Sequence, residues 1–551
     1  MTSPKKLSYI NVSMHYFLKN KLSEALKKLN YPQIEIEVEI PKNEAFGDLS
    51  TPIAMEISRH LKKPPRTIAE DIISTIDRDI FEDIQIAGPG FINFTFKNNY
   101  IFSELSECLK EEEAFFVQNT GKGRKIQIEF VSANPTGPLH LGHGRGAALG
   151  AALANILREA GYNVSTEYYI NDAGKQVELL GLSVYVALQK LFGKEMELPE
   201  ECYKGEYINE LAKEIYDLYK NDLKDKSFDE AGDLLIEFSY KKILNDIMKD
   251  LEDFGVVFDK WVSERKLYHT GEVQRTILKL KELGYIYEKD GALWFKSTAF
   301  GDDKDRVIIK NDGTYTYFAS DIAYHKNKIE RGFDELINIW GADHHGYIQR
   351  VKAAVQALGM SPSQIKILLV QMVNLLREGK PVQMSKRAGT FVTLRELIDE
   401  IGADTTKFIF LTRRHDSQLE FDIEIAKRQS QENPVYYVQY AHARINSIFE
   451  KADINPEKFS GELFNENEIK IIKKVLMYPM IFDLSVQMRE PHRITFYLQE
   501  LAAMFHSYYH KYRVVSEDSN LTETRLCLCR AVMLALRHGL KMLGVKAPEK
   551  M

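Results

Sequence analysis

The sequence predicts a multidomain α/β protein, with a doubly wound, mostly parallel sheet at its centre, a small α+β domain before it and an all-helical domain after it. Three observations predict this. The 551 residues exceed what a single core accommodates. From about residue 120 to 420, buried-strand patterns alternate with helical ones. Before residue 115 half-exposed strands mix with helices, and beyond Phe421 strand signals fade.

Residues 1–115 form the first unit. Helical periodicity runs through M-H-Y-F-L-K-N-K-L-S-E-A-L-K-K-L and T-P-I-A-M-E-I-S-R-H-L-K, while I-E-I-E-V-E-I and G-F-I-N-F-T-F alternate as strands. The corner A-G-P-G-F supplies a turn before the last strand. Glu111, Glu112 and Glu113, followed by Gly121 and Gly123, mark the link to the second unit, residues 120–420.

That unit opens on R-K-I-Q-I-E-F-V, a buried strand by its β-branched content, and continues into the alanine-rich helix A-A-L-G-A-A-L-A-N-I-L-R-E-A, capped by Gly161. Between them lies E-F-V-S-A-N-P-T-G-P-L-H-L-G-H-G-R-G, from Glu129 to Gly146, a strand-to-helix crossing. Unpaired N–H groups and the positive dipole end at such a helix start attract phosphate. His140 and His143 add side-chain donors there, and Gly142 and Gly144 are expected to let a flat base or ribose approach. H-L-G-H also fits a plain polar loop end. Zinc is not indicated, because neither H-E-x-x-H nor a cysteine cluster accompanies it.

V-S-T-E-Y-Y-I-N-D-A-G-K-Q reads as a second strand and its loop, and residues 177–255 as a helical insertion closed by Gly255. W-F-K-S-T-A-F and R-V-I-I-K, with the turn N-D-G, predict a hairpin-like piece. In T-Y-T-Y-F-A-S-D-I-A-Y-H-K, Tyr317 and Asp321 share one face of a first helical turn, where Asp321 also fits a capping role. I-N-I-W-G-A-D-H-H-G-Y puts Asp343, His344 and His345 at a third strand end. I-K-I-L-L-V-Q-M-V-N is a further strand, followed by the basic stretch P-V-Q-M-S-K-R-A-G-T at 381–390.

The third unit, 421–551, begins with N-P-V-Y-Y-V-Q-Y-A-H-A-R. Tyr436, Tyr440 and Arg444 lie on one helical face, suited to stacking on unpaired bases or to filling a core.

Lys and Arg total 73 against 79 Asp and Glu, a formal −6, so any nucleic-acid surface must be a local patch. Four scattered cysteines, Cys108, Cys202, Cys527 and Cys529, exclude a disulfide framework and suit a reducing cytoplasm. Neither a signal-like start nor an 18-residue apolar run occurs, so no membrane association is expected.

These strings carry a resemblance. P-L-H-L-G-H resembles the ATP-binding HIGH motif of class I aminoacyl-tRNA synthetases, and the longer S-A-N-P-T-G-P-L-H-L-G-H-G-R resembles the bacterial-type arginyl-tRNA synthetases in particular. P-V-Q-M-S-K-R-A-G-T resembles the KMSKS loop, with Gln383 for its first lysine and Arg387 for its last serine. E-A-F-G-D-L-S-T-P-I-A with A-G-P-G-F-I-N-F resembles the additional N-terminal domain placed on the outer corner of tRNA. A-L-R-H-G-L-K-M-L-G-V-K resembles the end of the helical anticodon domain named DALR, Leu534 standing where that name has aspartate.

The resemblance implies a Rossmann-type core in which Pro138, His140, Gly142, His143, Met384, Ser385, Lys386 and Arg387 contact ATP, with His140, His143 and Lys386 as the catalytic set. It implies that Glu129 and Asp321 face a substrate guanidinium, that Tyr317 packs on it, and that Asn134 holds the α-amino end. Asp343, His344 and His345 are expected near adenosine or arginine. ATP with Mg2+ is the expected substrate complex, without protein-bound zinc. tRNA(Arg) is the expected partner and is required for adenylate formation, and the chain is expected to be a cytoplasmic monomer. Two other readings share these motifs: a class I enzyme for another amino acid such as cysteine, and a non-catalytic tRNA-binding chain.

Overall fold

The computed structural model describes residues 13–382, 392–454, 456 and 458–551. At its centre is a five-stranded parallel sheet of β1 (Lys125–Glu129), β2 (Asn163–Ile170), β3 (Lys260–Ser263), β4 (Glu335–Gly341) and β5 (Ile365–Val370), in the order β5-β4-β1-β2-β3. The chain runs outward from β1 to β3 and then returns to the other edge of β1. The crevice beyond the carboxyl ends of β1 and β4 is therefore a topological switch point, where ligands of such sheets bind.

Helix α1 (Leu141–Glu159) follows β1, and α2 (Tyr317–Glu330) precedes β4. Strand residues such as Ile126, Ile128, Leu336 and Ile337 are wholly buried, as covered parallel sheets require. One polar row interrupts them: Asn338 pairs in register with Glu129, and Glu129 with Glu167. In-register residues of a parallel sheet point to the same face, and α2 lies over this one, meeting it with Tyr324, Lys328 and Arg331. Arg331 grips the buried Glu167 with both terminal nitrogens. Burial alone would raise the Glu167 pKa, but Arg331 and Lys328 outweigh it and hold the carboxyl below its ordinary range.

The insertion joins β2 to β3 as the helices Lys175–Leu191, Glu206–Leu223 and Phe228–Asp253. A Ser227–Glu230 capping box starts the last of these, and Gly255 at φ +73° ends it. Next comes a three-stranded antiparallel sheet, Ile286–Lys289, Ala292–Phe295 and Arg306–Ile309. W-F and R-V-I-I pair antiparallel as expected, Trp294 opposite Val307 and Phe295 opposite Arg306, while around N-D-G itself there is a single bridge, Ile309 to Tyr315. The tight turn is Asp290-Gly291 instead, with φ of +52° and +72°, the left-handed pair that a two-residue hairpin needs.

In the first unit, helices Met14–Lys28, Ile53–Leu61 and Pro65–Thr75 accompany a sheet of Leu49–Thr51, Phe91–Phe96 and Phe81–Ala87. I-E-I-E-V-E-I is not a strand. It makes one bridge, Glu39 to Ser50, because the strand beside it is only three residues long and Thr51 spends its hydroxyl on the Glu37 carbonyl.

Beyond Asp422 the described residues are helical, including Pro434–Ala452, Glu466–Leu476, Tyr478–Met488, His492–Lys511 and Ser519–Met542. Among the described residues no helix is long and apolar enough to cross a membrane.

Candidate active site

The crossing from β1 to α1 builds the first half of the site. Directly after Glu129 the backbone takes two left-handed steps, Val131 at φ +67° and Ser132 at +41°. A β-branched residue rarely adopts that conformation, and such strain gathers at sites where the surroundings hold it. Here Ser132 is the holder: its hydroxyl donates to Glu129 Oε1 at 3.1 Å and accepts from the Tyr169 N–H at 3.1 Å.

His140 caps α1. Its Nδ1 accepts from the Gly142 N–H at 3.1 Å, and His143 Nδ1 accepts from the His140 N–H at 3.3 Å, a capping box built of imidazoles. The rings stack with centroids 3.7 Å apart. With Nδ1 of each ring accepting a backbone hydrogen, the proton of the neutral imidazole sits on Nε2, which is thereby the donor. Pro138 lies in the loop leading to this cap.

The glycines divide by role. A Cβ on Gly142 would meet only the His140 ring, whereas one on Gly144 would lie 2.8 Å from Leu394 and 3.0 Å from Phe410. Gly144 is thus needed for helix packing, and the expectation that it opens the backbone to a base is corrected.

The second half comes from α2. It begins at Tyr317, so Tyr317 and Asp321 share a face. Tyr317 is 52 % exposed, and its ring lies near Gly174. Tyr347 donates its hydroxyl to Asp321 at 2.5 Å. Burial pushes the Asp321 carboxyl up to about 7, with Glu264 and Glu129 adding to the rise and Tyr347 and Lys328 opposing it.

Glu129, expected to face one guanidinium together with Asp321, lies near enough to raise the Asp321 carboxyl, and it already has a cation beside it. Lys328, wholly buried on α2, sits 2.6 Å from Glu129 Oε2 and 3.1 Å from Asn338 Oδ1. A further carboxyl acting on Asp321 is Glu264, 2 % exposed at the start of the short helix behind β3. It accepts from the Ser320 hydroxyl at 2.6 Å, its other oxygen meets no partner among the described residues, and burial raises it to about 7.

Asn134 donates to Gln176 at the start of the insertion. Asp343, His344 and His345 occupy a turn at the end of β4, exposed to solvent, and it is Tyr347 from the same string that reaches Asp321. Tyr436 and Tyr440 stack at 5.9 Å, with the Arg444 guanidinium 5.0 Å from the Tyr440 ring, all half-buried on the first long helix of the third unit.

Met384, Ser385, Lys386 and Arg387 lie outside the described residues, but the chain on both sides of them is anchored. The expected last strand is two: β5, then Val373–Arg377 in a separate small sheet with Lys380–Pro381 and Leu419–Asp422. Upstream, the Val382 N–H donates to the Leu375 carbonyl at 2.9 Å. Downstream, Thr393 bridges to His140 and the Leu394 N–H donates to the Leu139 carbonyl at 2.8 Å. The described chain thus resumes, at Thr393 and Leu394, against the α1 cap.

Comparison with known proteins shows the family of the chain. The family described as tRNA synthetases class I (R), catalytic domain, matches residues 104–447. The DALR anticodon binding domain matches 438–551, and the arginyl tRNA synthetase N terminal domain matches 17–96. An arginine–tRNA ligase of Syntrophotalea carbinolica is 50 % identical, covering 94 % of this chain and 95 % of its own. One from Aquifex aeolicus is 47 % identical over 98 % of this chain and all of its own. The solved arginyl-tRNA synthetase of Thermus thermophilus shares the fold at a TM-score of 0.79 and 22 % identity, over 98 % of this chain and 100 % of its own. With half of all positions shared across nearly the whole length and its three family segments in sequence order, this chain belongs to the class I arginyl-tRNA synthetases.

Proposed function

We infer that the chain activates arginine with ATP and transfers it to tRNA. The observation that carries the reading is the pair of carboxyls Asp321 and Glu264, both raised by burial, with Glu129 at the carboxyl end of β1 acting on Asp321, on a sheet whose β1 leads into a helix start suited to phosphate. A guanidinium is a planar fork of donors, and two carboxylates accept it in pairs. Tyr317 covers its flat face and Asn134 holds the α-amino end. Glu129, its charge matched by Lys328, supports the pocket from beneath.

In the first step a carboxylate oxygen of arginine bonds to the α-phosphorus while the bond to the bridging β-phosphate oxygen breaks, and pyrophosphate leaves with the electron pair. The nucleophile is already ionised at neutral pH, so positioning and charge stabilisation suffice and no general base is required. His140 and His143 donate from Nε2 to the phosphoryl oxygens at the positive end of α1, with Pro138 and Gly142 against the nucleotide. Met384, Ser385, Lys386 and Arg387 act on the β- and γ-phosphates, and Mg2+ enters with ATP as part of the substrate. In the second step the 2′-hydroxyl of the terminal tRNA adenosine attacks the arginyl carbonyl, loses its proton, and AMP leaves. Tyr436, Tyr440 and Arg444 offer stacking and charge to unpaired tRNA bases.

Pyrophosphate exchange into ATP, measured with each amino acid and with or without tRNA, tests the assignment. Exchange driven by arginine and strengthened by tRNA is expected. Exchange driven by cysteine, or tRNA binding without any charging, would reject it.

A further inference from the structure

Asp172 lies two residues past the end of β2 and is 5 % exposed. A buried carboxylate must be satisfied, and this one spends both oxygens on a single stretch behind β3. Its Oδ2 accepts from the Ser263 hydroxyl at 2.6 Å and its Oδ1 from the Arg265 N–H at 2.9 Å. Ser263 ends β3 and caps the short helix Glu264–His269, accepting from the Lys266 N–H at 3.1 Å. Glu264 stands between the two residues that Asp172 holds.

The Arg265 side chain closes the same corner from outside. Its Nε and Nη2 donate to the Asp172 carbonyl at 3.2 and 3.0 Å, and its Nη1 to Glu237 at 2.9 Å, on the insertion helix Phe228–Asp253. The neighbours of Asp172 lie along the rest of the pocket. Gly174 takes φ +82°, and a Cβ there would come 3.6 Å from the Tyr317 hydroxyl, while Gln176 accepts from Asn134. One loop after β2 therefore lies beside Tyr317, meets Asn134, and fixes Glu264 through the residues on both sides of it.

We propose that Asp172 is a positioning residue for arginine recognition, pinning the backbone on both sides of Glu264 so that the unpartnered oxygen of that carboxyl is kept in place for the guanidinium. The Glu264 side chain itself is held on one oxygen alone, by Ser320. Where its other oxygen stands is thus set by the backbone it grows from, and a binding group is only as exact as the hydrogen bonds behind it. The inference rests on the role given to Glu264 above.

Arginine-dependent pyrophosphate exchange in the presence of tRNA tests it, with Asp172→Ala, Glu264→Gln and the two combined, each rate divided by the folded fraction from circular dichroism. Asp172→Ala is expected to raise the KM for arginine about tenfold while the KM for ATP stays within about twofold. In the double variant the rise should fall short of the product of the single rises, because both changes act on one carboxyl. Asp172→Asn keeps an oxygen for the Arg265 N–H and offers its amide to the Ser263 oxygen, so it should restore most of the KM for arginine. A merely structural role would raise both KM values together or give the full product in the double variant. Either result would overturn the proposal alone, as would a parental KM for arginine in Asp172→Ala or no recovery in Asp172→Asn. A parental KM for arginine in Glu264→Gln would instead remove Glu264 from the pocket, and this inference with it. Should Asp172→Ala fail to fold, Ser263→Ala, which breaks one of the two bonds and leaves Asp172 intact, takes its place in the cycle.

Discussion

Lys328 Nζ lies 2.6 Å from Glu129 Oε2, with the two side chains 0 % and 9 % exposed. Glu129 thus has its counter-charge before any substrate arrives, and Lys328 in turn has no other carboxylate within ion-pair distance among the described residues. Removing one member of a buried pair strands the other, at a cost of about 3–5 kcal/mol. Lys328→Met is expected to lower the melting temperature of the enzyme, and adding Glu129→Gln to recover part of the loss. Calorimetry of the two singles and the double decides it; equal losses in Lys328→Met and the double would show that Glu129 does not depend on this lysine.

Burial pushes the Asp321 carboxyl up to about 7, and the proposed guanidinium contact needs its carboxylate form. The KM for arginine should therefore rise as pH falls, with an inflection close to neutrality. Tyr347→Phe removes the hydrogen bond that favours the carboxylate, so the inflection should move to higher pH. The stability sign is opposite to that of a salt-bridged carboxylate. A raised pKa means the folded state keeps a proton that the unfolded chain releases between about pH 4 and about pH 7, so ligand-free stability falls as pH rises across that window. Asp321→Asn should lessen this slope in melting curves, Glu264 supplying what remains. An unmoved KM inflection in Tyr347→Phe would count against the assignment.

His143 caps the His140 N–H, and the proposed mechanism gives it a second duty as an Nε2 donor for phosphate. His143→Ala loses both and should reduce arginylation about 100- to 1,000-fold, with tRNA affinity close to normal because the stacking residues proposed for tRNA, Tyr436, Tyr440 and Arg444, are untouched. His143→Asn keeps a capping acceptor, so it should recover most of the melting temperature but little of the rate. Rates and filter binding on the three proteins separate the duties, and full rate recovery in His143→Asn would mean that capping alone matters.

The fold was legible where its signals are local. The β1–α1 crossing, the insertion closed by Gly255 and the helical third unit all follow from periodicity and glycine placement within a few residues. I-E-I-E-V-E-I misled because alternation makes a strand only when a long enough partner lies alongside. In the site, Tyr317 and Asp321 were legible as helical neighbours. Lys328 was within reach of the same reasoning, since Asp321, Tyr324 and Lys328 repeat at helical spacing and a lysine on an inward face demands an acid. Glu264 was not, because it comes from a short helix behind β3, and only the strand order brings it to Ser320.

The glycines of α1 allow a last separation of packing from binding. At Gly150 an added Cβ would come within 2.2 Å of the Phe130 ring, which lies just past the end of β1. Gly150→Ala must push helix and strand apart, and it should lower the melting temperature and all activities together. Gly146 is buried too, yet a Cβ there would meet nothing within 4 Å. Alanine at that position favours the helix by about 1 kcal/mol, so Gly146→Ala should melt no lower than the parent. If the nucleotide lies against this open stretch of α1, the methyl group takes space that ATP needs, and the KM for ATP should rise about tenfold or more while the KM for arginine does not move. Steady-state exchange kinetics on a protein of undiminished stability isolates that effect, and an unchanged KM for ATP would place the nucleotide elsewhere on the helix.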